Sequence, residues 1–529
     1  MKIKTILVSM LAVAALAGCN TENGDKRTKP EDADVAYLSI KIDTHEQTRS
    51  SGEDPGFGES ALNTLYLLTF NDAGKVMAVP GTSVYYVRIS PASATPEPVK
   101  IAAASTKLLA VANPGTDLEK IITNTSSSGS FTTINQAING VAVGEVKDAT
   151  KGFGMINSGN DEGLTSGGKI TDPLIDISDK IQTIAAAGGE QAAIDAAKEA
   201  ENQVEVKIER FASKISFKLK GDDNNNIVVS PAGAKFTFGN WTIDAVNTAY
   251  YPFAEKTIIN VAHTPSPGFY NSNFYTQDPN FTGTVGDGIA NASVNALTRA
   301  PELVAPYTWL AAPLETHCLE NTMAAAEQTF GNTTRVVVKG TYYPAGYTGT
   351  TGDWFHFANK NYLSFADLQE AYDKAATGSD LKSACDDMYA KIAKYAQDNS
   401  IDDLEGTSFA TLTVGDLAKI DNGGEVLKEG KKDIIRWYKD GLCYYYYEIR
   451  HNNETTVEMD FAKYGVVRNN WYSLTLGTVG GPGTPWYPDI DNPGPGDPDP
   501  ETPIDQAAGY LGITVTVGPW ILWENEIGI

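Results

Sequence analysis

The chain has 529 residues, 42% of them hydrophobic, which is enough for two to four domains with ordinary cores. Its formal net charge is −25, which argues against nucleic-acid binding and against electrostatic attachment to an anionic membrane. Glycine (49), tyrosine (25) and abundant threonine point to many short strands and turns.

Residues 1–19 read as a secretory signal. Lys2 and Lys4 form a positive start, and Ile6 to Leu16 is an apolar run too short to span a bilayer. Leu16-Ala17-Gly18-Cys19 places small residues just before a cysteine, the pattern of a lipoprotein cleaved before Cys19 and lipidated on its thiol. One such terminus can tether a protein, because each buried methylene contributes roughly 0.8 kcal/mol. No second run of spanning length follows, so the expectation is an exported, lipid-tethered chain.

Ala33 to Ile42 alternates, with Ala36, Leu38, Ile40 and Ile42 on one face, and predicts a half-buried strand. A polar loop follows, Asp43 to Glu59, with Arg49-Ser50 in its middle. No other Lys or Arg lies between Lys41 and Lys75. Loops of this composition are where proteases cut. A cut after Arg49 would separate the first strand from everything downstream.

Beyond it, Leu65–Phe70 with Lys75–Met77 reads as a hairpin-like pair, and Lys107–Pro114 as a buried strand ended by Asn-Pro. Ile184–Gln203 is alanine-rich and helical, broken at Gly188-Gly189. Val204–Lys220 alternates throughout, and the GDDNNN at 221–226 marks a domain boundary. Lys235–Ala245, Thr334–Pro344, Leu442–Arg450 and Asn470–Leu476 are further strands. Ser364–Thr377 and Asp380–Asn399 are amphipathic helices, and 262–306 a long excursion.

Residues 480–503 contain eight prolines with many Asp and Gly. Such a tract predicts an extended arm of about 3 Å per residue, roughly 60 to 70 Å long. After it, Leu511, Ile513, Val515 and Val517 alternate with Gly512, Thr514 and Thr516, a strand that Pro519 should end. This last strand either folds back on its own domain or adds to a neighbouring molecule. A removable strand at one end and a free strand at the other are what donor-strand polymerisation needs. The groove left by the first strand has unpaired backbone groups and apolar walls, and templates pairing with another chain.

The order of several motifs resembles the fimbrillin family of Bacteroidales, in particular the shaft subunits of the short fimbriae of Porphyromonas. The motifs are the lipoprotein signal, LLAVANP at 108–114, VKIERFASKI at 206–215, CLENTM at 318–323, DGLCYYYYEIRHN at 440–452, YGVVRNNWYSL at 464–474, the Pro-Asp tract and ITVTVGPW at 513–520. The resemblance implies a mainly β fold of two transthyretin-like β-sandwich domains with a few inserted helices. It implies lipoprotein export through Cys19, cleavage between Arg49 and Ser50 by an arginine-specific protease, and polymerisation through Leu511, Ile513, Val515 and Val517. The expected division is a signal at 1–19, a propeptide at 20–49, β-sandwich domains at 50–221 and 222–479, the arm at 480–508 and the donor strand at 509–529. Expected partners are other copies of the chain, other fimbrial subunits, the protease, and the outer membrane through lipid before cleavage. A tip or accessory subunit is the alternative role.

No catalytic residue, metal or cofactor is expected. His45, His263, His317, His356 and His451 are scattered without ligand spacing. Gly163–Lys169 resembles a phosphate loop, but Ile170 stands where a magnesium-binding Ser or Thr would be needed. Asp489, Asp491, Asp497 and Asp499 lack a full calcium pattern. Cys318, Cys385 and Cys443 read as buried small hydrophobes, with one disulfide left open. The Tyr444–Tyr447 run is a strand with alternate rings in the core, or a platform for glycans on a surface lipoprotein.

Overall fold

Alternation at the first strand sets the architecture. In a computed structural model, β1 (Val35–Asp43) points Ala36, Leu38, Ile40 and Ile42 into a core shared with Leu65, Leu67, Val99, Leu108, Val204 and Val206. The structure describes residues 34–43, 59, 61–140, 143–148, 152–259, 274–279, 281, 297–298, 308–401, 404–429, 434–452, 455–490, 492–506 and 511–519. Cys19, Arg49 and Ser50 lie outside these residues, as do His45, His263 and Asp491.

The chain is mainly β. After β1 come β2 (Leu65–Phe70), β3 (Val99–Ala102), β4 (Lys107–Ala112), β5 (Met155–Asn157) and β6 (Gln182–Thr183). A helical hairpin follows, α1 (Ile184–Ala187) and α2 (Glu190–Lys198), then β7 (Gln203–Arg210). The hairpin forms where alanine enrichment predicts helix. Thr183 caps it by accepting from the amide of Ala186, and Gly188 turns it at φ 82°, which a Cβ would strain. In the first sheet β4 lies between β2 and β5, and β7 between β5 and β1.

The next strand, β8 (Ala212–Leu219), already belongs to another sheet, paired parallel to β13 (Asn470–Val479) and antiparallel to the strand Glu315–Leu319. The chain therefore passes between sheets at Phe211, ahead of the 221–226 segment chosen from composition. That segment is instead a pair of short 3-10 turns after β8. Each strand alternates, but the inward positions shift from even (Val204, Val206, Ile208) to odd (Phe211, Ile215, Phe217, Leu219), and that phase slip marks the change of sheet. Phe211 is fully buried, with the Arg468 guanidinium over its ring at 5.7 Å.

The remaining strands include β9 (Lys235–Asp244), β11 (Arg335–Tyr343) and β12 (Leu442–Glu448), which form an antiparallel sheet; β10 is the Glu315–Leu319 strand already placed beside β8. Both predicted late helices are present, α3 (Phe365–Lys374) and α4 (Asp380–Asp398). Ser364 and Ser379 cap them through their side chains, and Leu368, Cys385, Met388 and Ile392 face a separate core. Cys318, Cys385 and Cys443 are free and buried. Among the described residues no helix is long and apolar enough to cross a membrane.

The proline-rich tract is not a free arm, which corrects the expectation of a 60 to 70 Å spacer. Trp486 and Ile490 are fully buried, and Tyr487 and Ile504 nearly so. Thr484 exchanges both backbone hydrogen bonds with Tyr444, at 2.8 and 3.0 Å. Further along, the Gly331 amide donates to the Pro500 carbonyl and the Phe330 amide to that of Thr502. Composition predicts extension because prolines remove donors, but the carbonyls remain, and four apolar side chains seat the tract. Trp486→Ala should lower stability by about 3 to 5 kcal/mol. Thermal unfolding measures this, and an unchanged melting temperature would mean that the tract contributes nothing to the fold.

Candidate strand-exchange site

Each end of the chain supplies one element. At the amino end, β1 is held on both edges. Residues 35–38 pair antiparallel with 99–102 of β3, and residues 39–43 pair parallel with 203–207 of β7. Ala36 and Tyr37 also face Thr183 and Gln182 of β6. Leu38 and Ile40 are 0% and 2% exposed, so the slot around β1 is an interior one.

The outward face is covered at one end. Val35 and Tyr37 pack under the α1–α2 hairpin against Ile184, Ala193 and Ala197. The Tyr37 hydroxyl donates to a Glu190 carboxylate oxygen, and burial with that neighbour holds its pKa above the ordinary tyrosine value. Sequence reasoning missed Tyr37 and Glu190, because period-2 alternation counts only the inward residues; a large aromatic at an outward position was the available signal.

Both ends of the segment 44–58, which carries Arg49 and Ser50, are fastened to the same strand. Asp43 lies beside Lys207, and the carbonyl of Glu59 accepts from Arg210 Nε at 2.8 Å. Three residues of β7 span about 10 Å. The Glu59 carboxylate is itself buried and accepts from Lys214 at 3.1 Å. Glu315 and His317 join it in the one group of three possible metal ligands among the described residues. Lys214 lies 3.0 Å from Glu315, and Lys147 Nζ 2.7 Å from His317 Nδ1, so two lysine side chains border this cluster.

At the carboxyl end, β14 (Leu511–Pro519) pairs antiparallel along β13, on the edge away from β8. Leu511, Ile513, Val515 and Val517 sit opposite Val479, Leu476, Leu474 and Tyr472. They share one face, as predicted, and pack against the core from half-buried positions, while Gly512, Thr514 and Thr516 are exposed. Within a single chain the last strand thus folds back on its own sheet. The two end strands belong to different sheets. The tract before β14 stays fastened as far as Asp505, whose carboxylate accepts from Lys463 at 2.9 Å and from the Tyr464 hydroxyl at 2.8 Å.

The other sequence candidates are absorbed by packing. Tyr445 points inward, whereas Tyr444 meets Trp309 and Tyr487, and Tyr446 meets Phe330, with centroids 4.9 to 6.1 Å apart. Asp497 accepts from Trp486 Nε1 and the Gly494 amide, each at 2.8 Å. Lys169 of the glycine-rich loop pairs with Glu255 at 2.6 Å. His451 is buried between the Tyr472 hydroxyl and the Phe274 carbonyl, and His356 contacts Asn361.

The carboxyl-terminal part of the chain is fimbrillin-like. Residues 436–526 match the family model described as the C-terminal part of fimbrillin, the major fimbrial subunit protein type IV. The match includes β12, β13, the proline-rich tract and β14. No curated protein matches the chain. Among solved structures, a fimbrilin from Porphyromonas gingivalis W83 is 14% identical, with 92% of this chain and 98% of that one covered and a TM-score of 0.36. A candidate cell adhesion protein from Parabacteroides distasonis is 13% identical, with 92% and 99% covered and a TM-score of 0.39. The tip fimbrial protein Mfa3 from Porphyromonas gingivalis, truncated at its C-terminus, is 11% identical, with 92% and 100% covered and a TM-score of 0.33.

Proposed function

We propose that the protein is a shaft subunit of a cell-surface fimbria, polymerised by strand exchange between copies. It is exported as a lipoprotein through Cys19 and held at the outer membrane. An arginine-specific protease cuts between Arg49 and Ser50, and the segment carrying β1 leaves. The last strand of a neighbouring copy, with Leu511, Ile513, Val515 and Val517 on one face, then enters the slot. The division into two β-sandwich domains belongs to the same reading, with the boundary set at Phe211, where the sheets change. Other fimbrial subunits would join at the fibre ends.

The observation that carries this reading is a difference in depth. The inward side chains of β1 are fully buried, while those of β14 in its own chain are only half-buried. An aliphatic side chain gains about 1.5 to 3 kcal/mol on full burial, so moving several from a half-covered edge to a closed slot favours exchange by roughly 2 to 5 kcal/mol. The edge position on β13 also means that β14 can leave by unzipping from a single paired strand. A formed last strand favours the shaft role over a cap that donates none.

Arg49→Ala tests the cleavage step. The variant should remain an unpolymerised lipoprotein carrying β1, whereas fibres of normal length would refute the role of Arg49.

A further inference from the structure

The sequence of β1 and that leading into and through β14 align without a gap when laid in the same direction. Residues 36–42 read AYLSIKI and residues 509–515 read GYLGITV. Tyr, Leu and Ile coincide, and wherever the residues differ the later one is smaller. Resting on the strand-exchange reading above, we propose that the incoming strand of a second copy adopts the direction and register of the strand it replaces. Tyr510 takes the place of Tyr37, Leu511 that of Leu38, Ile513 that of Ile40, and Val515 that of Ile42.

The slot discriminates among the alternatives. A register shifted by two residues would put all four aliphatic residues of β14 inward, but it would place Leu511 where Ala36 sits. Ala36 is completely buried, opposite Ile101 and Thr183, and overpacking such a site is destabilising. In the matched register that position receives Gly509. A strand entering in the reverse direction would put Val517 there. It would also run against β7, whose residues 203–207 are set in a parallel ladder with β1.

The outward face points the same way. Ser39 is 5% exposed and its counterpart is Gly512, whereas Lys41 is exposed and its counterpart is Thr514. The Tyr37 pocket, with Ala193 and Ala197 against the ring and Glu190 on the hydroxyl, suits a second tyrosine and no other side chain of 509–515. Val517 then falls past Asp43, beyond the slot, so three aliphatic residues and one tyrosine fill it.

Cysteine pairs in the full chain, treated with an arginine-specific protease and run on non-reducing gels, test the register. Val99 faces Leu38 in β3 and Lys100 faces Tyr37, distances at which opposed cysteines join. Val99→Cys with Leu511→Cys should give a covalent ladder at least tenfold stronger than Val99→Cys with Ile513→Cys or with Val515→Cys. The half-buried Lys100→Cys with Tyr510→Cys gives the same answer if the buried position disturbs folding. A ladder from Ile513→Cys would overturn the register, and one from Val515→Cys the direction, while both would leave strand exchange standing. Multimers without any of these cross-links would overturn the register and the slot together, and an absence of multimers would sink the strand-exchange reading itself.

Discussion

A chain that begins at Ser50 should fail to persist as a folded monomer. It lacks β1, whose Val35, Tyr37, Leu38, Ile40 and Ile42 are all buried. At about 1.5 to 3 kcal/mol per side chain, the loss is roughly 8 to 15 kcal/mol. That is an upper figure, because unfolded chains already cover some apolar surface, yet it equals the whole stability of a typical domain. The shortened chain should therefore appear as multimers resistant to detergent, or with its first sheet unfolded. A synthetic peptide of residues 34–43 in excess should hold it as a monomer, since a ligand that binds only the folded state stabilises it by mass action. Size-exclusion chromatography with and without the peptide reads the outcome. A stable, peptide-indifferent monomer would mean that β1 is dispensable and leaves no slot worth filling.

Deleting residues 507–529 should have the opposite profile. The strand β14 lies at an edge, and its four aliphatic residues are half-buried, so its removal costs roughly 3 to 6 kcal/mol before the entropy regained by its residues. The melting temperature should fall by several degrees while the body stays folded, and polymerisation should disappear. Mixed with the intact chain and protease, the deleted chain can accept a strand but donate none. It should shorten fibres in proportion to its share, as seen by electron microscopy. Fibres growing from the deleted chain alone would remove β14 from the mechanism.

Much of this was legible in the sequence where a local rule acts alone. The alternation of Ala36, Leu38, Ile40 and Ile42 set both strand and inward face, and the amphipathic patterns of 364–377 and 380–399 marked α3 and α4. What was not legible depended on distant partners. Reading Val204–Lys220 as one alternating run overlooks the phase slip between Ile208 and Phe211, where the inward positions change parity because each half faces a different core. Proline content foretold an extended backbone at 480–503, but not that Trp486 and Ile490 find pockets made by residues far away in sequence. The pattern of β14 required one covered face without saying which edge covers it. The proposed cleavage and lipidation positions, Arg49, Ser50 and Cys19, rest on chemical signals of sequence alone and lie outside the described residues.

Assembled fibres examined by electron cryomicroscopy offer the decisive view, at the gap between residues 99–102 and 203–207 of one subunit. Density continuous with the proline-rich tract of the adjoining subunit, carrying a tyrosine ring beneath the α1–α2 hairpin, is the predicted content. Density tracing residues 35–43 of the same subunit would contradict the account.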